Sequence, residues 1–479
     1  MVLVLTMVVL QSISFANYAL TTKTTNIIYG SAPYLTFDGG RTRVTNTESL
    51  LGISLSDGRT FTPTTNNSRD NPIVLPVAGQ SFADIGMLVP TGMLVPTNYG
   101  DYYIELSSLI SEPYNYWGDD DGDGQGIDGV TATGSLNLLI KDKDGYRVAR
   151  NEVLTICKAP YRLTLSSYGG RLTTRYGVPN ESRFSASNAT YYINPKAAPV
   201  ICYARPKGME GFYGYMRDGL SAAVWESGKG FLPQSVTPSS YGLNFPTTGA
   251  NNLFFYLDIG GINAQALSWA PVSHGGITAT MTFYSNARVR VTLTGPDSTP
   301  SQRKSDNPGR INRISLPQVF ELVGRDSRGN AVVKYGFELK QWFVGRGDVQ
   351  RIYSSAESWC NKIGGYRLPK LSDLTNASCR QEPIEHSDPC RYGGNEINEL
   401  TATPSSPRNS IRRHIGAGFF TEWGWMDDYG SNNFGGVYWT QDRAAYRSKT
   451  FLVYTMSGSV TWHDDYGGVN ANNVFCVYP

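Results

Sequence analysis

Residues 116–129 read YWGDDDGDGQGIDG, with four aspartates in five positions and glycine on both sides. Only 17% of the chain is charged, against roughly 25% in an ordinary globular protein, so this density needs a physical reason. Asp119, Asp121 and Asp123 alternate and Gly124 follows them, which is the D-x-D-x-D-G half of a calcium loop. Calcium takes about six to eight oxygens; a tight loop converges alternate carboxylates, and glycine permits the sharp turn. Counting from Asp119, the twelfth residue is Val130 where a bidentate Glu would stand, and Asp128 is the nearest substitute. Val130–Ile140 reads as a strand, so the pattern fits a calcium loop between strands rather than between helices. The alternative is a solvated turn. Catalysis is the weakest reading, because acid–base work needs two carboxylates in different environments, and these share one. A structural Ca2+ held by Asp119, Asp121, Asp123 and Asp128 is therefore the expectation.

Elsewhere the chain offers little for catalysis. Its four histidines, His274, His386, His414 and His463, form no H-x-x-x-H or HExxH pattern, which speaks against a zinc hydrolase. There is no GxSxG or P-loop, so no catalytic residue is assigned. Arg412-Arg413-His414 reads as a surface cluster before a core strand. The six cysteines lack zinc spacing, and an even count in an exported chain favours disulfides. Cys157 and Cys202 lie alone in mid-chain and are expected to pair. Cys379 and Cys390 flank a short polar loop. That leaves Cys360 with Cys476, joining the start and end of the last module. Free buried thiols are the alternative.

Positioning such residues falls mostly to strands. Short runs such as NLFFYLDIG, ITATMTFYS and ARVRVTLTG alternate Val, Ile, Tyr, Phe or Thr with polar residues and end at Gly, Pro, Asn or Asp. Regular spacing of such runs indicates sandwiches or barrels. Two helices are expected, over Ser354–Ile363 (Glu357 near the third helical position, stopped by Gly364-Gly365) and over Lys370–Asn376. Val2–Leu10 is nearly all apolar and reads as the core of a signal peptide, despite the lack of a basic residue before it. GMLVPTGMLVPT, from Gly86 to Thr97, is a six-residue tandem copy and reads as a loop duplication. The expected organisation is a signal peptide at 1–16, an N-terminal β module at 17–112, an Ig-like β-sandwich carrying the acidic loop at 113–208, a second sandwich at 209–341 and a separate final module at 342–479. The formal net charge is +2 with scattered Lys and Arg, which gives no nucleic-acid footprint. No stretch is long and apolar enough for a transmembrane helix.

The final stretch has a different texture. SAESWCNKIGGYRLPKLSDL, then HIGAGFFTEWGWMDDYG, VYWTQD and a closing hairpin ending in VFCVYP resemble the C-type-lectin-like fold, in which the first and last cysteines join the chain ends. Together with YNYWGDDDGDGQG, LTICKAPY, ATYYINPKA, GFLPQSVTPSSY, SWAPVSHGGITATMT, FELVGRDSRGN and KYGFELKQWFV, the chain from Asn17 onward resembles the BigA-like bacterial adhesion-domain family, and its end is similar to the tips of intimin and invasin. The resemblance implies a mainly β fold of Ig-like β-sandwich modules followed by a C-type-lectin-like α+β module. It also implies export and surface binding. Glu382-Pro383-Ile384 and Trp462-His463-Asp464 do not match the calcium-and-sugar motifs of C-type lectins, so calcium-dependent sugar binding is not expected there.

What remains is binding through loops. Asp427, Asp428, Tyr429, Asn432 and Asn433 form one loop rich in small polar residues. Trp462, His463, Asp465 and Tyr466 form a second, and Arg443 with Tyr446 a third. Rigid aromatics with adaptable polar neighbours are paratope chemistry, and Tyr, Trp and Arg are the usual hot-spot types. Trp439 is expected in the core. The sequence thus points to a non-catalytic, secreted or cell-surface adhesin of outer-membrane association, active in virulence. Its receptor would be a host or neighbouring cell-surface protein or glycan, and an outer-membrane partner would tether it. The alternatives are a secreted accessory protein docking on the bacterial envelope and, less favoured, a glycan-active enzyme.

Overall fold

A computed structural model describes residues 29–92, 101–122, 129–208, 217–347, 349–381, 388–430, 436–445, 449–464 and 472–479. The expected signal peptide and the second copy of the tandem repeat lie outside the described residues. The chain divides into two compact units, Met1–Lys196 and Ala197–Pro479.

The first unit is built on one sheet. Its strands are β1 (Ile73–Val74), β2 (Tyr102–Glu105), β3 (Val130–Lys141), β4 (Tyr161–Thr174) and β5 (Glu181–Asn194), in the order β1-β5-β4-β3-β2. Alternation decides which face is buried: Leu136, Leu138 and Ile140 of β3 share the buried face with Tyr161, Leu163 and Leu165 of the neighbouring β4, while the residues between them face outward. The period breaks where the backbones of Gly134 and Gly170 touch; a Cβ on Gly134 would sit 1.8 Å from the Gly169 carbonyl oxygen. The expected module boundary at 112/113 does not survive. β2 pairs with β3 along four residues, so 17–112 and 113–196 share one sheet and one core. The strand pairing that crosses Ser111–Pro113 is non-local and leaves no mark in the local sequence pattern.

The second unit begins earlier than expected. β6 (Val200–Pro206) belongs to it rather than to the preceding module, because it pairs with β8 (Phe254–Gly260). Between them in sequence lies the short β7 (Thr248–Ala250). β9 (Val272–His274), β10 (Ile277–Ser285) and β11 (Arg288–Thr294) complete a seven-stranded sheet with two short strands at Trp225–Glu226 and Gly230–Phe231. A second sheet joins Ser268–Trp269 to β12 (Gln318–Arg325) and β13 (Ala331–Leu339). Phe255, Leu257, Val289, Val291 and Leu293 of the large sheet share a core with Phe320, Leu322 and Phe337 of the small one, a sandwich of the expected kind.

The chain then turns at Lys340 into β14 (Gln341–Gly345), one residue before the expected start of the last module. Helix α1 (Tyr353–Lys362) matches the expected helix within one residue, and α2 (Leu371–Leu374) is the core of the second. Two further helices, α3 (Asp388–Leu400) and α4 (Phe419–Trp423), were not anticipated. A sheet of β15 (Val437–Arg443), β16 (Lys449–Tyr454) and β17 (Val460–Asp464) follows, and β18 (Phe475–Tyr478) closes the chain. β14 lies between β18, antiparallel, and β7, parallel. The last module is therefore continuous with the sandwich through β7, and their buried residues form one cluster.

A buried carboxylate secures this junction. Glu422 of α4 is fully buried and accepts hydrogen bonds from the amides of Thr247, Thr248 and Gly416 and from both threonine hydroxyls, at 2.7–3.1 Å. The Trp423 indole N–H donates to the Thr248 carbonyl at 3.0 Å. Arg413 is buried as well, which corrects its reading as part of a surface cluster; its guanidinium donates to the carbonyls of Gly208, Thr421 and Glu422. Burial pulls its pKa down to about 10, so it stays charged at neutral pH.

Burial also raises the Glu422 pKa, with the five donors opposing it. A carboxyl whose folded value exceeds its unfolded one makes the native state hold more protons between the two values. Stability should therefore fall as pH rises from the ordinary carboxylate range, about 4.3, through the raised folded value. Urea unfolding across that window tests this: Glu422→Gln should flatten the slope, and Glu422→Ala should cost at least about 3 kcal/mol by stranding several donors.

Candidate binding surface of the terminal module

The scaffold comes first. Cys360 of α1 is bonded to Cys476 of β18 with Cα atoms 5.3 Å apart, and Cys379 to Cys390 at the same Cα separation. Cys157 and Cys202 are also in disulfide form, and no described cysteine is free. Against the first staple packs an aromatic column: Phe343 stacks on Phe419 at 4.2 Å, and Phe475 stacks on Tyr438 at 4.2 Å. These rings bring α4, β14, β15 and β18 into one core, and the Cys360–Cys476 bond adds α1.

On this scaffold two residues singled out from sequence fall on one row of the terminal sheet. Arg443 of β15 is opposite Thr450 of β16, and Thr450 is opposite His463 of β17. They thus form one cross-strand row. Beneath lies Trp439, 1% exposed, as expected of a core residue; its indole donates to the Arg351 carbonyl at 2.7 Å. Tyr353, at the start of α1, packs edge-on against Trp439 at 5.8 Å, and the Arg443 guanidinium lies 4.6 Å above the Tyr353 ring. The Tyr353 hydroxyl donates to Glu357 at 3.3 Å. Burial raises the Tyr353 pKa, with Glu357 adding to the rise and Arg443 opposing it. His463 contacts Asn472 at 3.2 Å and the edge of Trp439. The result is a cation and an imidazole held on a floor of fixed aromatic rings, an arrangement suited to charge-assisted and stacking contacts. Tyr353, Glu357 and Asn472 were missed from sequence; the helix looked like scaffold only, although an aromatic at its first position was a usable signal.

Other expectations are corrected. Tyr429 is 5% exposed; its hydroxyl donates to the Trp423 carbonyl and accepts from the Gly208 amide, and its ring packs on Phe254. It is a core residue of the junction, not a contact. Trp462 is 7% exposed, stacked on Phe451 with the Lys449 ammonium 5.1 Å from its ring. It too holds the fold. Asp427 is exposed and accepts from the Trp425 indole at 3.0 Å, while Asp428 is half-buried close to Arg413. Among the described residues, the Asp427–Tyr429 turn thus packs toward the sandwich, whereas Arg443 lies over Tyr353 of α1 and His463 beside Trp439. Asn432, Asn433, Tyr446, Asp465 and Tyr466 lie outside the described residues.

The acidic loop is partly described. Trp117–Gly118 pairs with Tyr34–Leu35. Asp120, the residue that the alternation skips, accepts from the Tyr34 hydroxyl at 3.1 Å and is ion-paired to Arg43, which stacks on the Tyr34 ring. Asp121 accepts the Ser31 amide at 2.8 Å. Asp119 is half-buried; Asp123 and Asp128 lie outside the described residues. Among the described residues no three acidic, His or Cys groups gather closely enough to hold a metal. None of the described helices is long and apolar enough to cross a membrane.

Comparison with known proteins returned no matching family model and no matching curated protein. Among solved structures, the chain is similar to invasin, a bacterial integrin-binding protein, at 11% identity and a TM-score of 0.34, over 80% of this chain and 60% of that one. It is also similar to the C-terminal 282-residue fragment of intimin, solved with the intimin-binding domain of the translocated intimin receptor, at 12% identity and a TM-score of 0.30, over 72% of this chain and 93% of that one. The chain thus spans about 60% of the invasin structure. Likenesses this distant say nothing of ligand or partner.

The contrast between rim and core is measurable. Trp462→Ala should destabilise the chain by about 3–5 kcal/mol, whereas His463→Ala, on the half-exposed row, should cost about 1 kcal/mol or less. Equal costs in thermal unfolding would contradict this placement.

Proposed function

We propose that the chain is an exported bacterial surface adhesin whose terminal module binds a protein or glycan on a host or neighbouring cell, without chemical turnover. The observation that carries the reading is the Arg443–His463 row. It sets exposed or half-exposed polar groups on buried aromatic rings, and a disulfide fixes the elements beneath. Binding there loses little conformational freedom, because the side chains beneath are already fixed. Arginine on an aromatic floor is a usual hot-spot chemistry. The BigA-like resemblance read from the sequence, with anchoring by an outer-membrane partner, is the finer form of the same proposal.

Calcium enters as a structural brace of the acidic loop. Asp120, which breaks the alternation, is ion-paired to Arg43; the ligand set proposed from the sequence is Asp119, Asp121, Asp123 and Asp128. Affinity would fall in the extracellular class of about 10⁻⁴–10⁻³ M.

The test uses the full oxidised chain on a protein and glycan array and on cells. The double variant Arg443→Ala, His463→Ala should lose at least about tenfold in binding, or 1.4 kcal/mol, with a fall in melting temperature of no more than about 4 °C. Binding as strong as the parent's would refute the site, and capture only by the producer's own envelope would favour the accessory role. Chelation should lower the melting temperature and leave the effect of the double variant as it was; no shift on chelation would remove the cation.

A further inference from the structure

The outward face of the seven-stranded sheet carries a second set of side chains, of which Phe254 is buried against Tyr429 of the terminal module and the rest are exposed or half-exposed. β8 presents Phe254, Tyr256 and Asp258; β11 presents Arg288, Arg290 and Thr292; β10 presents Thr280, Thr282 and Tyr284. Registers place Tyr256 opposite Arg290 and Arg290 opposite Thr282, with Phe254, Thr292 and Thr280 forming the next row. The alternate residues of these strands fill the sandwich core, so this face is a genuine second surface of the same strands.

Its two arginines differ. Arg288 is neutralised by Asp258 through two hydrogen bonds, at 2.8 and 3.3 Å. Arg290 has no carboxylate partner among the described residues. Its guanidinium lies flat on the Phe254 ring, 3.6 Å from the centroid, and its Nε is buried without a hydrogen-bond partner. Stacking occupies the face of the guanidinium and Nε is buried, so the Nη1 and Nη2 edge is the part left to meet a ligand. The group is thus a fixed cation without a carboxylate partner among the described residues. Beside it Tyr256 and Tyr284 pack at 4.5 Å between centroids, with Tyr284 55% exposed. The hydroxyls of Thr280, Thr282 and Thr292 make no side-chain hydrogen bond among the described residues.

We propose that this face binds an acidic sugar. A carboxylate takes the Arg290 fork in bidentate fashion, a pyranose ring lies on the exposed Tyr284, and the threonine hydroxyls meet the sugar hydroxyls. The rows of unused hydroxyls favour a polyhydroxylated anion over an acidic peptide, and the lone unpaired cation matches a single carboxylate. This site stands apart from the Arg443–His463 row and does not depend on it.

Titration calorimetry of the full oxidised chain with sialyllactose, trigalacturonate and lactose tests the assignment. One or both acidic sugars should bind at least tenfold more tightly than lactose, and added salt should weaken them. Arg290→Gln should lose at least tenfold at unchanged melting temperature. Arg290→Lys, which keeps the charge but not the fork, should lose less. Thr282→Val, an exposed change that leaves the fold intact, should lose a few-fold and serves if Arg290→Gln does not fold. The Arg443→Ala, His463→Ala variant should bind these sugars as the parent does. Acidic sugars binding no better than lactose would overturn the proposal. So would parental affinity in folded Arg290→Gln, or a glutamate oligomer that binds through Arg290 where the sugars do not.

Discussion

The pairing of β14 with β18 is the constraint on which the terminal module depends. It joins the point where the chain leaves the sandwich to the point where the chain ends. The bond from Cys360 to Cys476 closes the same loop covalently across 116 residues; in the chain-entropy model such closure removes roughly 4–5 kcal/mol of unfolded-state freedom. Because β14 also pairs with β7, the register of the module is transmitted directly to the sandwich. Glu422 and Arg413 complete that connection from the polar side. Each is fully buried and each spends its charge on backbone or threonine partners, which is the condition for tolerating buried ions.

Rigidity matters for recognition because ordering costs set affinity as much as contact area does. Arg443 and His463 do not stand on a free loop. They sit at the two ends of one cross-strand row, with Thr450 between them, over Trp439 and Tyr353, whose rings are locked by the Arg351 carbonyl and by Glu357. The sheet face around Arg290 follows the same principle with different materials: a phenylalanine ring fixes the guanidinium where a carboxylate would otherwise neutralise it. One unit thus offers two surfaces, one at the stapled end and one on the flank of the sandwich.

Much of this was legible in sequence, for local reasons. Alternation in NLFFYLDIG and ARVRVTLTG told which residues face the core, and Gly364-Gly365 marked where α1 stops. The Cys360–Cys476 and Cys379–Cys390 pairs followed from position along the chain. Other features were hidden because they depend on partners far away in sequence. The pairing of Tyr102–Glu105 with Val130–Lys141 spans the acidic loop and crosses the expected module boundary at 112/113. α3 carries Gly393 and Gly394 inside it, which read as a loop. Tyr429 and Trp462 lie among Asp, Gly and Asn and so looked like surface anchors. Tyr429 is buried by Phe254 of the sandwich and Trp462 by Phe451 of the neighbouring strand, and neither contact leaves a mark in the local pattern. The candidate site was therefore half visible: Arg443 and His463 were identified, while the rings that hold them were assigned to scaffold.

The central claim is that one cross-linked strand pair holds the terminal module and fixes it to the sandwich. Hydrogen exchange of the Cys360→Ala, Cys476→Ala chain against the parent tests it most directly. The account predicts that amides of Trp342–Gly345 and Phe475–Tyr478 are among the slowest in the parent, and that in the variant they speed up together with those of Thr248–Ala250. Exchange in all three segments that is unchanged by loss of the cross-link would contradict it.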